Sequence, residues 1–557
     1  MGTRINDVAS SVQGLTLGDD LYSARNQLVF PQEDIQGLDR LVSTITTRAQ
    51  LVKALVNDVN NSVNPPAGEV CSLYKQIKKL TEITFSLRTT IDDLAESTES
   101  SIVRRLTSLG NQRAAVATRN SSIKELISYF MSTIKDIVRE VLGGTNDQDV
   151  LWRAAEACYE QAIRPDGILC ADDYFHPLEE ACLAWPYDPD FDSERYYEHE
   201  NQLLVDEDYA AAFREQRDQE SEEHQHKRQS WVDFWIGALH NAPNGPTLFY
   251  PPLSLHRESF DLDVPRYLFR TFDAVSSGRN DENVVASIVN RNGAQESNRT
   301  DILSREKQDG AEMLYMHLKK NCFGGAGQDN LMSWTSSLLY AIQYAVWRAH
   351  IRGRHPSEIS ICAIDTSKFP LGQFVRDIPL LEAYREAAEQ LGGSLLEFFD
   401  FRLRTSDYYN GEYLSQGAVN HSGRSCMMSL ERLIQAGLFQ LYPEFDDAEG
   451  RKKWAKRVRE LRHLWSTEQD TSEQEIQIAL KVARDCFAQL EPVHLASMLL
   501  SFKQRKYSEL DSPGECFVLR MTILMFVASI SDSFSSRQSM ATRMGKQAGG
   551  SLSILDY

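Results

Sequence analysis

Three places in this chain carry side chains whose types and order could do chemistry on a charged, sugar-linked ligand. Arg270 closes the apolar stretch Tyr267-Leu268-Phe269, where a guanidinium can present a rigid fork to a phosphate or a ribose-linked oxygen. Trp334 precedes Thr335-Ser336-Ser337, a hydroxyl cluster that feeds straight into an apolar helical pattern reaching Tyr344-Ala345. Such a cluster caps a helix, because Ser and Thr satisfy free backbone donors there, and a helix start also favours an anion. Glu412 stands in Asn410-Gly-Glu-Tyr-Leu-Ser-Gln-Gly417, before an apolar pair and a turn. Taken singly, each has a plainer reading: a surface arginine or ion pair, an N-cap, a solvated carboxylate. In the order arginine, hydroxyls, glutamate they are the parts needed to grip a dinucleotide and split its glycosidic bond.

The elements that must position them lie between Leu248 and about Phe445. Strand patterns fall at Tyr267–Arg270, Met332–Thr335, Ile359–Ile364 and Cys426–Ser429, and helical patterns at Asp309–Lys320, Leu338–Ile351, Leu380–Gln390 and Leu430–Ala436. This mixed order predicts an α+β domain over 248–445 rather than regular βαβ winding.

Around it the chain reads as helical. Residues 1–146 carry apolar stripes, Leu38, Leu41, Ile45, Val52, Leu55 and Val59 in one and Leu73, Ile77, Leu80, Leu87, Ile91 and Leu94 in the next, with Thr84 interrupting the second seam. A third helix is expected from Ser122 to Leu142, ending at Gly143-Gly144. An antiparallel bundle needs no partner, whereas a coiled coil would make the protein an oligomer; the breaks at Pro65-Pro66 and Ser97–Ser101 favour the bundle. Residues 147–247 form an acidic, partly helical connector. There His224 and His226 lie beside Glu222 and Glu223 on a charged face without a third fixed ligand, so no metal is expected. Trp231, Phe234 and Trp235 are expected to anchor this segment on the next domain. Residues 446–530 read as a C-terminal helical region, with helices at Arg451–Trp465, Gln474–Leu490 and Glu515–Ile530, and 531–557 as a Ser- and Gly-rich disordered tail.

At 557 residues the chain is too long for one core. A formal charge of -20 with no offsetting basic block excludes nonspecific nucleic-acid or anionic-membrane binding as its business. Nine cysteines without a Cys-x-x-Cys pair predict reduced, mostly buried thiols. No stretch is long and apolar enough to span a bilayer, the longest run (Cys516–Ile530) containing Arg520, and the expected location is cytoplasmic or nuclear. Gly324-Gly325-Ala-Gly327 lacks the lysine of a phosphate-binding loop. Ser336, His421 and Asp365 supply the residue types of a hydrolase, without a Gly-x-Ser-x-Gly elbow.

Together Arg270, Trp334-Thr335-Ser336-Ser337 and Glu412-Tyr413-Leu414 resemble the ADP-ribosyltransferase superfamily of the Arg–Ser–Glu type. Ile359-Ser-Ile-Cys-Ala-Ile-Asp-Thr-Ser-Lys-Phe-Pro370 is similar to that family's following strand and Asp-Thr-Ser turn. More closely, Tyr267 to about Pro443 resembles an uncharacterised domain of filamentous fungi. The resemblance implies an ADP-ribosyltransferase-like mixed sheet flanked by helical regions, with NAD as the donor substrate. Glu412 would stabilise an oxocarbenium-like ribose. Arg270 would hold a phosphate or ribose, and Ser336 or Thr335 would fix Glu412 or the nicotinamide ribose. Ser337 completes the hydroxyl motif, and Trp334 or Tyr344 would stack on nicotinamide. Two positions depart from the pattern: Asn410 replaces the usual Gln or Glu two residues before the glutamate, and Thr-Ser-Ser replaces Ser-Thr-Ser. The outcomes implied are transfer of ADP-ribose to an unidentified acceptor, hydrolysis of NAD, or a degenerate domain serving as scaffold or sensor. A protein partner would act through the helical regions.

Overall fold

The computed structural model describes residues 32–62, 64–111, 119–144, 149–175, 201–250, 264–291, 300–319, 329–405 and 409–506. The glycine-rich turn at 324–327, the helix expected at Glu515–Ile530 and the tail from Ser531 lie outside them. The chain forms two compact units, meeting in sequence at Gly245 and Pro246.

The first unit is helical. Helices α1 (Gln32–Asn61) and α2 (Ala67–Asn111) pair as a hairpin, tied across by Arg48 Nη1 donating to Gln76 Oε1 at 3.1 Å. Their contact follows a 3,4 spacing. Leu38, Leu41, Ile45, Arg48, Val52, Leu55 and Val59 are half-buried on α1, and Leu73, Gln76, Leu80, Ile83, Leu87 and Leu94 on α2. Ile77 and Ile91, expected on the seam, are exposed, because a 3.5-residue period places Gln76 and Thr90 there instead. Thr84 is exposed and interrupts nothing. The polar stretch at Ser97–Ser101 does not break α2 either, since Glu99 is buried there and accepts two hydrogen bonds from Arg139, at 2.7 and 2.8 Å.

The expected third helix is divided at Phe130 into α3 (Arg119–Tyr129) and α4 (Met131–Gly144). The described parts of the acidic connector belong to this same unit as α5 (Val150–Ile163), α6 (Ala171–Phe175) and α7 (Glu207–Asn241). Trp231, Phe234 and Trp235, expected as an anchor on the next domain, pack within this unit. The Trp231 ring stacks on Phe130 at 5.9 Å, its Nε1 donates to the Leu169 carbonyl at 2.9 Å, and Phe234 packs over Gly110.

The second unit is α+β. A six-stranded antiparallel sheet runs in the order β6-β7-β4-β1-β5-β9. Its strands are β1 (Tyr267–Phe272), β4 (Leu331–Thr335), β5 (Ser360–Asp365), β6 (Val375–Arg376), β7 (Glu412–Gln416) and β9 (Ser425–Ser429). A second sheet joins β2 (Arg279–Asn280), β3 (Val284–Ala286) and β8 (Ala418–Asn420). Strand β1 carries three aromatic residues, Tyr267, Phe269 and Phe272, which suit a pleated surface, and the period of two sends successive side chains to opposite faces. Leu268, Phe272, Met332, Trp334, Cys362, Ile364 and Tyr413 pack toward the small sheet, against Val285, Val419, Phe369 and Phe374.

Helices cover the other face of the large sheet. Over β6, β7 and β4 lie α8 (Lys307–Leu318), α10 (Asp377–Ala383), α11 (Arg385–Leu391) and α12 (Gly393–Arg404). Over β1, β5 and β9 lie α9 (Leu338–Arg352), α13 (Leu430–Ala436), α14 (Leu438–Leu441), α15 (Ala455–Leu464), α16 (Glu473–Cys486) and α17 (Pro492–Leu500). Helix α9 starts where Ser337 Oγ accepts the Tyr340 N–H and stops at Gly353, whose φ of 59° suits glycine and lets its N–H reach the Ala349 and His350 carbonyls. The expected C-terminal helical region is therefore not a separate body: Trp465, Ile476, Val482 and Leu499 share one core with Tyr267, Phe269 and Ile361.

Candidate functional site

The hydroxyl cluster and the glutamate come together where β4 passes into α9. Thr335 is the cross-strand neighbour of Glu412, so their side chains leave the same face. The Ser336 N–H donates to the Gly411 carbonyl at 2.8 Å. Gly411 has a φ of 66°, which suits glycine, and a Cβ on it would stand 2.0 Å from Ser336 Oγ and displace that hydroxyl. Two of the three hydroxyls are spent on structure. Thr335 Oγ1 donates to the Asn410 carbonyl at 2.6 Å and accepts the Ser337 N–H, while Ser337 caps α9. Ser336 is the hydroxyl that lies against the glycine preceding Glu412.

Glu412 is not solitary. Its Oε2 accepts from Arg402 Nη2 at 2.8 Å, and the same guanidinium binds the fully buried Asp377. Burial alone would lower the Arg402 pKa, but Glu412 and Asp377 more than offset it and the group stays charged above its ordinary range. Burial pushes the Asp377 carboxyl up to about 6, Arg402 opposing and Glu412 adding to the shift. Its Oδ1 is buried with no hydrogen-bond donor among the described residues. Neither Arg402 nor Asp377 was legible in the sequence: one reads as a basic helix end, the other as an N-terminal acid of α10.

Arg270 reaches the site from the other side. Phe269 is the cross-strand neighbour of Thr335, so alternation puts Arg270 on the opposite face from Thr335 and Glu412, beside Cys362. Strands β1 and β4 share that single paired position, whereas β1 and β5 share six and β4 and β7 five. The sheet is thus split between β1 and β4. Across the split Arg270 Nη1 donates to the Ser333 carbonyl at 2.7 Å, and Nε donates to Asn280 Oδ1 at 2.9 Å. Both acceptors are neutral. Burial pushes this guanidinium down to about 10, with Arg348 adding to the effect. Arg348, by contrast, is clasped by both oxygens of Asp273 at 2.6 and 2.8 Å.

The two aromatic candidates differ. Trp334 is 2 % exposed, donates from Nε1 to Ser415 Oγ at 2.8 Å and meets Phe374 edge-on. This corrects the expectation that Trp334 stacks on a ligand: its ring is packed within the core between the two sheets. Tyr344 is half-buried, accepts from Arg348 Nη1 at 2.9 Å, and stacks with Tyr340 and Trp347 along α9. Burial, with Glu412 adding to the effect, pushes the Tyr340 phenol well up.

The other constellations do not assemble. His421 is buried against Ser425 Oγ at 2.6 Å, and Asp365 binds Ser367 and Arg266, so Ser336, His421 and Asp365 form no relay. His224 stacks on Phe175, and among the described residues no group of three His, Cys, Asp or Glu is arranged for a metal. Five of the six described cysteines are buried and all six are free. Among the described residues no helix is long and apolar enough to cross a membrane.

Residues 263–422, which span the site, match a family described as a domain of unknown function, DUF7587. No curated protein and no solved structure matches the chain.

Proposed function

We propose that the second unit is an ADP-ribosyltransferase-like domain that binds NAD at the split between β1 and β4. The observation that carries this reading is Arg270, a half-buried cation whose hydrogen-bond acceptors are both neutral. An uncompensated charge in a low-dielectric gap is costly until an anion meets it, and a pyrophosphate offers that anion. From there the nicotinamide ribose would extend toward Ser336 and Glu412, where a carboxylate can hold a ribose hydroxyl and stabilise positive charge at the anomeric carbon. Tyr344 and its neighbour Tyr340 offer the nearest aromatic surface. Release of nicotinamide then leaves ADP-ribose for an acceptor protein or for water.

A second reading has its own support. Glu412 is held by Arg402 at 2.8 Å, which favours a domain that binds NAD as a scaffold or sensor without turning it over. Calorimetric titration with NAD, followed by assay of nicotinamide release, separates the two. Arg270→Gln is expected to weaken NAD binding by about 10- to 100-fold, one to two charge-assisted hydrogen bonds. The same substitution is expected to leave the unliganded melting temperature unchanged or raised. Absence of binding to the wild-type chain sinks both readings; binding without nicotinamide release, unaltered by Glu412→Gln, leaves only the sensor.

A further inference from the structure

A second set of reactive groups lies at the same split, on residues the sequence patterns did not single out. His317, near the end of α8, has Nδ1 at 2.9 Å from Asp329 Oδ1 and Nε2 at 2.9 Å from Ser333 Oγ. Asp329 Oδ1 also accepts the Leu331 N–H at 3.0 Å, which fixes the carboxylate as an acceptor. His317 therefore donates from Nδ1 and presents the Nε2 lone pair to the serine hydroxyl. His317 and Asp329 are 7 % and 4 % exposed, whereas Ser333 is half-buried, so the chain of hydrogen bonds runs from the core to the least buried of the three residues. Ser333 also borders the opened strand gap, and the Arg270 guanidinium sits 2.7 Å from its carbonyl oxygen.

Nucleophile, base and orienting carboxylate, hydrogen-bonded in series, are the triad of a serine acyl-transfer centre. A purely structural bridge would not need both imidazole nitrogens engaged in series, one by a carboxylate and the other by a hydroxyl. We infer that Ser333, His317 and Asp329 form a second reactive centre, one that hydrolyses carboxylic esters. Ser333 Oγ bonds to the acyl carbon as its proton passes to His317 Nε2. The alcohol leaves with the proton from His317. Water then attacks the acyl-serine, giving a proton to His317, and the acid departs as Ser333 recovers its hydrogen. Asp329 is a positioning residue that keeps the imidazole in the right tautomer.

The full-length chain treated with an alkyl fluorophosphonate tests this, because Ser333 Oγ would displace fluoride and keep the phosphonyl group. The probe carries no nucleotide, so its outcome is independent of the NAD reading. The expected result is one adduct, located on Ser333 by peptide mass spectrometry, absent after heat denaturation. Its rate should fall at least about 100-fold in His317→Gln. Asp329→Asn, which keeps the shape of the side chain, should slow labelling comparably while the melting curve stays cooperative. No adduct on Ser333 of the folded wild-type protein overturns the inference. So does labelling of His317→Gln or Asp329→Asn at the wild-type rate.

Discussion

At the scale of single residues, the site is organised by which charges have partners. Arg348 is matched by Asp273, and Arg402 by two carboxylates, while Arg270 meets only neutral acceptors. One arginine between two acids leaves those acids unequal. Asp377 is the buried one and carries the raised pKa, near 6. Its folded value exceeds the ordinary value of 3.8, so the folded protein binds a proton that the unfolded chain has already released between those limits. Stability from Asp377 is accordingly fully present at low pH and is lost as pH rises through about 6. Asp377→Asn cannot titrate. Its stability relative to wild type should therefore improve steadily from about pH 4 to pH 7. Urea melts of the two proteins at several pH values check this; a difference that is flat or runs the other way would mean that Arg402 keeps Asp377 ionised throughout.

At the scale of elements, the feature that makes a site is the loss of pairing between β1 and β4, held open on one side and tightly closed on the other. The closed side is the turn in which Gly411 lies against Ser336. Gly411→Ala should destabilise the protein by roughly 1–3 kcal/mol, part from a positive φ and part from the clash. Ser336→Gly should recover the steric part and leave the backbone part of about 1 kcal/mol, a coupling that denaturant melts of the double-mutant cycle measure. Strict additivity would mean that the turn relaxes and that Ser336 is not pinned. Much of this region was legible in the sequence. The strands at Tyr267, Met332, Ile359 and Cys426 and the helix Leu430–Ala436 announced themselves through periodicity, and Ser337 through its capping chemistry. The split was not, because it depends on register between distant strands. Ser333, His317 and Asp329 were hidden for the same reason: β4 brings together residues whose spacing matches no motif.

At the scale of the whole chain, composition suggested more parts than the fold contains. The shift to acidic sequence after residue 146 and the return of helical periodicity after Asp446 both looked like boundaries. Yet α5 and α7 complete the first unit, and α15 to α17 complete the second. Composition reports how a segment meets water, whereas a unit is defined by whose apolar face it covers. For the second unit this has a measurable consequence. Trp465, 2 % exposed and donating from Nε1 to Glu444 at 3.0 Å, lies in the same core as Phe269 and Tyr267 of β1. Trp465→Ala should cost about 3–5 kcal/mol. If the C-terminal helices and the sheet form one cooperative body, hydrogen exchange should accelerate together in α16, β1 and β5, including the amide of Arg270. Faster exchange confined to α15–α17, with β1 and β5 protected as before, would instead make the C-terminal helices a separable layer and free the candidate site from any dependence on them.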